Sequence, residues 1–186
     1  PHSLPTRRSS ISLLVASLIT LSLAGCAKSN KANVENKTNS EAKVTNQGLR
    51  AADFELKDLK GVNHKLADYA GKKVYIKYWA SWCPICLSGL DEINTLSVAD
   101  KDFVVITIVS PGFRGEKNSE DFKKWFSGLD YKNITVLLDE DGTIANKYEI
   151  RGYPTSVVIG SDGTLVKTLV GHNSNEQIKA EFKNVK

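Results

Sequence analysis

Methionine is absent from this sequence of 186 residues, and cysteine and histidine occur only three times each. These shortages limit the metal chemistry that the chain can support. Copper-handling proteins often use soft thiolate and thioether ligands, and a structural zinc site needs four ligands. The chain offers one Cys-x-x-Cys pair, with no second pair and no His-x-x-His to complete a site. No nicotinamide-binding or flavin-binding motif is present either, so the sequence predicts neither a metal nor an organic cofactor.

Excess charge and long apolar runs are also scarce. Lysine and arginine number 25 and aspartate and glutamate 21, which gives a formal net charge of +4. The lysines are scattered and form no basic patch interleaved with aromatic residues, so nucleic-acid binding is not expected. The apolar run at residues 11–24 is shorter than the roughly 20 residues of a bilayer-spanning helix. The length suits one domain with appendages, and no internal repeat occurs.

The N-terminal segment has the features of an export signal. Arg7 and Arg8 precede the short apolar run, and small residues follow it. The run closes with Leu23-Ala24-Gly25-Cys26, which resembles a bacterial lipoprotein signal. In such signals the cysteine is lipidated and becomes the mature N-terminus. The resemblance assigns residues 1–25 to a signal peptide and Cys26 to lipid attachment; a plain signal peptide with an incidental cysteine is the alternative.

Residues 26–48 are predicted to form a tether that begins at the lipidated cysteine. The segment after Cys26 is rich in Lys, Asn, Ser, Thr and Glu and contains no aromatic residue. Such a composition cannot bury enough apolar surface to order itself, which predicts disorder. A flexible coil of this length reaches about 25 Å. The folded domain is therefore predicted to span residues 49–186.

Two cysteines in the stretch Trp-Ala-Ser-Trp-Cys-Pro-Ile-Cys, residues 79–86, are the centre of the predicted chemistry. An apolar run at 74–79 indicates a buried strand, and helical spacing follows it, so Cys83 and Cys86 stand where a strand gives way to a helix. Unpaired N–H groups at a helix start stabilise a thiolate at Cys83, the nucleophilic form. Pro84 suits the first helical position. Cys86, one turn further, can resolve a mixed disulfide.

Other interpretations of the cysteine pair fit less well. Haem attachment requires a histidine after the second cysteine, where Leu87 stands. A peroxidase of the peroxiredoxin type would carry threonine at the position of Ala80. A purely structural disulfide remains an alternative, although such bonds seldom lie at a strand-to-helix junction behind an aromatic residue.

The cysteine motif and a later Tyr153-Pro154 resemble the thioredoxin superfamily, in its extracytoplasmic, membrane-tethered TlpA/ResA-like branch of thiol-disulfide proteins. The resemblance implies an α/β fold with a central mixed sheet and helices on both faces. The patterns along the chain agree with this layout. An edge strand is predicted at 54–56, and the remaining strands at 73–79, 103–109, 134–138, 156–159 and 164–170. Helices are predicted at 83–98, from 119, at 143–148 and at 175–184.

The resemblance also implies a substrate-docking surface. In thioredoxin-like proteins a proline before the last hairpin is cis and packs beside the dithiol, which places Pro154 next to Cys83. Its role would be to expose the backbone of Tyr153 to an incoming substrate strand. Trp82 and Pro84 are expected to complete this surface, with Trp82 shielding the dithiol. The alternative is an ordinary trans proline at a strand start.

Two positions differ from the family pattern. Lys77 lies six residues before Cys83, where cytoplasmic thioredoxins hold a buried aspartate; it is expected either to favour the thiolate by its charge or to extend outward to solvent. Gly89 stands where several membrane-tethered relatives carry an acidic residue that acts on the buried thiol. Four other polar residues are assigned to solvated faces or turns: Asp91, Glu92, His64 and His172.

The predicted function is reduction of disulfides in exported partner proteins by dithiol exchange through Cys83 and Cys86. The sequence Ser110-Pro111-Gly112-Phe113 resembles thioredoxin domains that partner methionine sulfoxide reductase, which makes that enzyme the favoured client and apocytochrome the next. A membrane thiol carrier is the expected electron donor. The protein is expected to be a lipid-anchored monomer on the extracytoplasmic face of the cell membrane. The alternatives are a thiol oxidase that forms disulfides in exported proteins and a metal-handling lipoprotein.

Overall fold

The structure, a computed structural model, describes residues 46–186. The predicted signal peptide, residues 1–25, lies outside the described residues, as do Cys26 and the tether up to residue 45. Among the helices at 46–186, none has the length and apolar character that crossing a membrane requires.

One mixed sheet of eight strands forms the centre of the described residues. The strands are β1 (Leu49–Arg50), β2 (Glu55–Asp58), β3 (Asn63–Lys65), β4 (Lys73–Tyr78), β5 (Phe103–Val109), β6 (Val136–Leu138), β7 (Thr155–Ile159) and β8 (Thr164–Val170). Their order across the sheet is β1-β8-β7-β4-β5-β6-β2-β3. The β4–β5 and β5–β6 pairs are parallel, and the others are antiparallel. Parallel pairing therefore joins β4, β5 and β6, and the last hairpin, β7–β8, is antiparallel.

Five α-helices accompany the sheet: α1 (Pro84–Ser88), α2 (Leu90–Val98), α3 (Ser119–Ser127), α4 (Thr143–Lys147) and α5 (Asn175–Phe182). Short 3-10 turns occur at Leu66–Tyr69 and Glu140–Gly142. A capping box begins α5, since the Ser174 and Gln177 side chains each accept a hydrogen bond from the other residue's backbone N–H.

Apolar residues on both faces of β4 divide the core into two layers. Tyr75 packs in one cluster with Leu90 of α2 and Ile178 of α5. Ile76, which points to the opposite face, packs in a second cluster with Ile144 of α4. Side chains alternate across a strand and both faces of this one are covered, which explains the continuous apolar run. The predicted α/β fold with helices on both faces is confirmed.

Two predicted elements differ from the structure. The single helix predicted at 83–98 is two helices, because the chain leaves helical geometry at Gly89 (φ −96°, ψ 3°). The predicted edge strand at 54–56 became β2, an interior strand between β3 and β6. The true edge, β3, has the sequence Asn-His-Lys, and three consecutive polar residues give no alternation from which a strand could be predicted.

Contacts of the folded domain begin at Asn46, three residues before the predicted boundary. The Asn46 side chain donates to the Asp162 carboxylate (2.9 Å) and to the Lys186 carbonyl (2.8 Å). The side-chain oxygen of Asn46, Oδ1, accepts a hydrogen bond from the Lys186 backbone N–H (2.9 Å). Asn46 therefore joins the two ends of the described chain to the turn between β7 and β8.

Candidate active site

The cysteine motif lies where β4 gives way to α1. Cys83 is the N-cap of α1, with extended backbone geometry, and Pro84 occupies the first helical position. The Cys86 N–H lies 3.2 Å from Cys83 Sγ and donates to it. A backbone donor aimed at this sulfur favours its negatively charged form once the bond to Cys86 is reduced.

The two cysteines form a disulfide, and their Cα atoms are 5.2 Å apart. Cys83 keeps 3% of its surface exposed, whereas Cys86 is fully buried. Of the two cysteines, only Cys83 therefore offers any surface to an incoming sulfur. This asymmetry is what the predicted roles require, an accessible nucleophile and an enclosed resolving thiol.

An exposed apolar surface surrounds the disulfide. Trp82 is 50% exposed and Ile85 52% exposed, and Pro84 between them is also exposed. The Tyr153 ring meets the Trp82 ring edge to face, with centroids 5.9 Å apart. The Tyr153–Pro154 peptide bond is cis, as the family resemblance implied. The structure thus places the proline loop beside the cysteine loop, in the arrangement expected of a docking surface.

Lys77 is buried on β4, the strand that leads to the cysteine motif. Only 1% of the residue is exposed, so the expectation that its side chain extends to solvent is wrong. It lies on the same face of β4 as Tyr75 and Trp79, the face that α1 and α2 cover. Burial lowers the pKa of Lys77 to about 8, and the Glu92 carboxylate opposes this shift.

We expect Lys77 to make the stability of the oxidised protein rise between about pH 8 and 10. In this window the unfolded chain keeps the Lys77 proton, whereas the folded chain has released it, so folding is favoured as pH increases. The gain approaches about 1 kcal/mol per pH unit for one proton. Chemical denaturation of the wild type and Lys77→Met across this range measures it. Parallel pH dependence in the two proteins would contradict the assignment.

Two residues assigned to solvent-exposed positions, His172 and Glu92, lie together beside Gly89. A Cβ placed on Gly89 would lie 2.7 Å from His172 Nδ1 and 3.4 Å from Lys77 Nζ. His172 Nε2 is 3.5 Å from Glu92 Oε2, an ion-pair separation. Both side chains keep part of their surface exposed, 29% for His172 and 44% for Glu92, but His172 Nδ1 and Glu92 Oε2 are buried. Gly89 was the one sequence signal for this contact, because an isolated glycine inside a helical pattern often has a packing reason, here the close approach of the His172 ring.

The polar loop after β5 supplies a further residue that sequence reasoning missed. Glu116 is buried and accepts hydrogen bonds from the Ser81 backbone N–H (2.5 Å) and the Ser81 hydroxyl (2.6 Å). Lys117 donates to the same hydroxyl from its ammonium group (2.8 Å). Ser81 lies two residues before Cys83, so this contact fixes the loop that presents the nucleophile.

Comparison with known protein families places the whole described domain in one of them. Residues 46–186 match the Redoxin family. Thiol-disulfide oxidoreductase ResA of Geobacillus thermodenitrificans is 32% identical over 75% of this chain and 78% of its own length. An uncharacterized protein of Haemophilus influenzae is 56% identical over 69% of this chain and 83% of its own length.

Two solved structures have the same fold as this chain. The pneumococcal exposed lipoprotein thioredoxin Etrx1 of Streptococcus pneumoniae has a TM-score of 0.69 and 47% identity, over 72% of this chain and all of the compared chain. The N-terminal domain of PilB from Neisseria gonorrhoeae has a TM-score of 0.64 and 36% identity, over 69% of this chain and 87% of its own.

Proposed function

The chain belongs to the Redoxin family, within the thioredoxin superfamily, and is a thiol-disulfide oxidoreductase; we propose that it reduces disulfides in exported partner proteins through Cys83 and Cys86. The observation that carries the proposal is the asymmetry of the cysteine pair. Cys83 keeps 3% of its surface exposed and receives a backbone N–H on its sulfur, whereas Cys86 is fully buried one turn away.

The exchange has two steps. The Cys83 thiolate attacks one sulfur of a client disulfide, forming a mixed disulfide and releasing the other client sulfur as a thiolate. Cys86 then loses its proton and attacks Cys83 Sγ, which forms the internal disulfide and releases the second client thiolate. Two electrons pass from the dithiol to the client. Trp82, Pro84 and the Tyr153 backbone beside Pro154 hold the client chain during both steps.

Extracytoplasmic attachment through Cys26 is part of the proposal. The sequence Leu23-Ala24-Gly25-Cys26 resembles a lipoprotein signal, and a relative with 47% identity is itself described as an exposed lipoprotein. Lipid at Cys26 and a tether over residues 26–48 would hold the domain of residues 49–186 near the membrane.

We expect the full chain to incorporate a labelled fatty acid and to sediment with membranes when expressed in a bacterium that processes lipoproteins. A Cys26→Ser variant should lose both properties, because it lacks the thiol that carries the lipid. Unlabelled wild-type protein, or equal labelling of the variant, would remove the anchor from the proposal.

The client and the electron donor follow from the family resemblance. Ser110-Pro111-Gly112-Phe113 at the end of β5 is similar to the loop of thioredoxin domains that partner methionine sulfoxide reductase, which supports that enzyme as client, with apocytochrome as the second choice. A membrane thiol carrier would return electrons to the oxidised domain.

The reduction potential of the Cys83–Cys86 pair tests the direction of electron flow. We expect a value near the thioredoxin end of the scale, roughly −270 mV or lower, when the protein is equilibrated with glutathione. A value near roughly −120 mV would instead make the protein an oxidase that forms disulfides. If no reversible couple appeared, the exchange mechanism would fail. Metal handling would then need a new ligand set, because residues 46–186 hold no group of three or more candidate metal-binding side chains.

A further inference from the structure

Three elements bring polar groups to the space above Gly89. Lys77 comes from β4, Glu92 from α2, and His172 lies two residues after the end of β8. His172 Nδ1 and Lys77 Nζ both lie within 3.4 Å of the point that a Cβ on Gly89 would occupy. The absence of a side chain at Gly89 is therefore what admits the imidazole.

This space adjoins the resolving cysteine. Gly89 follows Cys86 by three residues, and the Gly89 N–H donates to the Cys86 carbonyl (3.2 Å). Positions three apart on a helical turn share a face, with Cβ atoms about 5–6 Å apart. A group in the place of a Gly89 side chain consequently lies beside the Cys86 side chain. His172, which occupies this space, is therefore the ionisable side chain beside the Cys86 thiol.

The two nitrogens of His172 have different surroundings. Nε2 lies 3.5 Å from Glu92 Oε2, so the carboxylate positions the ring from this side. Nδ1 faces Gly89, is buried and has no hydrogen-bond partner among the described residues. A buried polar atom without a partner is uncommon and indicates a functional site or a partner acquired in another state. Reduction of the disulfide would supply such a partner, the free Cys86 thiol.

We propose that His172, supported by Glu92, is the base that accepts the Cys86 proton in the second step of the exchange. The inference rests on the proposed function, because the proton is transferred only when Cys86 resolves a mixed disulfide. The Cys86 S–H bond breaks and its proton passes to Nδ1. The sulfur then attacks Cys83 Sγ, the bond from Cys83 to the client breaks, and the client leaves as a thiolate. The imidazolium returns its proton to solvent.

Lys77 is the other charged group at this space, and its role differs from that of His172. When protonated, its ammonium stabilises the Cys86 thiolate by charge without having to accept the proton. The Asn175 side chain donates to the Glu92 carbonyl (2.9 Å), which joins the start of α5 to the same turn of α2. Glu92 and Lys77 are therefore the two charged side chains that accompany His172 at this space.

A small aromatic disulfide, dithiobis(nitrobenzoate), separates the two steps. Reduced protein releases one coloured nitrothiobenzoate when Cys83 attacks and a second when Cys86 resolves the adduct, so rapid mixing gives two phases. The full chain with Cys26→Ser removes the third thiol. Both rates are measured between about pH 5 and 9, a range that brackets the ordinary histidine pKa.

We expect His172→Gln to slow the second phase about tenfold or more at neutral pH and to remove its inflection, while leaving the first phase unchanged. Glu92→Gln should also slow the second phase, because the imidazole loses the carboxylate that lies 3.5 Å from Nε2 and positions Nδ1. His64→Gln is the matched control. Its Nε2 also lies 3.5 Å from a carboxylate, that of Asp58, but it lies on β3 at the far edge of the sheet and should change neither phase.

The inference is overturned if His172→Gln and Glu92→Gln both fold and keep the wild-type pH profile of the second phase. Should His172→Gln fail to fold, Glu92→Gln decides alone, through a slowed or a normal second phase. Loss of the first phase in the wild type is a different result, which contradicts the proposed function itself and the inference with it. Normal first phases with altered second phases support the assignment.

Discussion

A Cys86→Ser variant is expected to accumulate as a mixed disulfide with its client, whereas Cys83→Ser forms none. Cys83 is the sulfur that retains exposure and accepts the Cys86 N–H, so it alone should attack. Cys86 is fully buried and can only resolve the adduct. Multiple-turnover reduction should fall by several orders of magnitude in both variants, because each lacks one of the two thiols that every cycle oxidises.

Non-reducing electrophoresis and mass spectrometry measure the adduct directly. Both variants carry Cys26→Ser in addition, so that the third cysteine cannot form one. The Cys26→Ser protein with an intact pair is the control and should show no stable adduct. Adducts formed by Cys83→Ser and absent from Cys86→Ser would reverse the assigned roles.

The same experiment identifies the client when it is performed in an exporting bacterium. A mixed disulfide is covalent, so the trapped partner survives denaturation and is identified by its peptides. Recovery of methionine sulfoxide reductase would support the favoured client, and recovery of an apocytochrome the second one. Trapping of many unrelated exported proteins would indicate a general reductant.

Much of the site follows from local sequence. The apolar run before Cys83 and the helical spacing after it predict a strand-to-helix junction, and the structure has one there. The start of α3 and the cap of α5 are equally local features, carried by Asn118 and Ser174. Each depends on residues within one turn of the chain, which is the range over which spacing and capping rules act.

The rest of the site depends on contacts between distant segments. His172 reaches Gly89 only because β8 lies beside β7 and β7 beside β4 in the sheet. Glu92 has the helical position of a solvated residue, and nothing in its neighbours along the chain indicates that one carboxylate oxygen is buried. Glu116 likewise occurs in a polar loop of ordinary composition. Side chains brought together by sheet order leave no periodic pattern, so a single sequence does not reveal them.

Glu116→Ala is expected to lower both stability and the rate of the first exchange step. The carboxylate accepts the Ser81 N–H, the Ser81 hydroxyl and the Lys117 N–H, and both Glu116 and Ser81 are buried. Removing it leaves these donors without their acceptor, which costs about 3 kcal/mol of unfolding free energy. Thermal or chemical denaturation of the oxidised protein measures this loss.

The rate should fall because Ser81 positions the loop that ends at Cys83. A displacement of about 1 Å at a reacting atom can cost a hundredfold in rate, so we expect the first phase with the aromatic disulfide to slow by about ten- to a hundredfold. Glu120→Ala, at an exposed position in the first turn of α3, is the matched control and should change stability by less than about 0.5 kcal/mol. Its first phase should match the wild type.

Ser81→Ala separates the two contributions of this contact. It removes the hydroxyl but keeps the backbone N–H bonded to Glu116, so the cost should be near 1 kcal/mol, the typical value for one hydrogen bond. If the backbone contact positions Cys83, Ser81→Ala keeps a nearly normal first phase while Glu116→Ala does not. Equal loss of rate in the two variants would instead assign the positioning to the hydroxyl and the Lys117 ammonium that bonds it. A normal rate in Glu116→Ala would leave the contact with a role in stability alone.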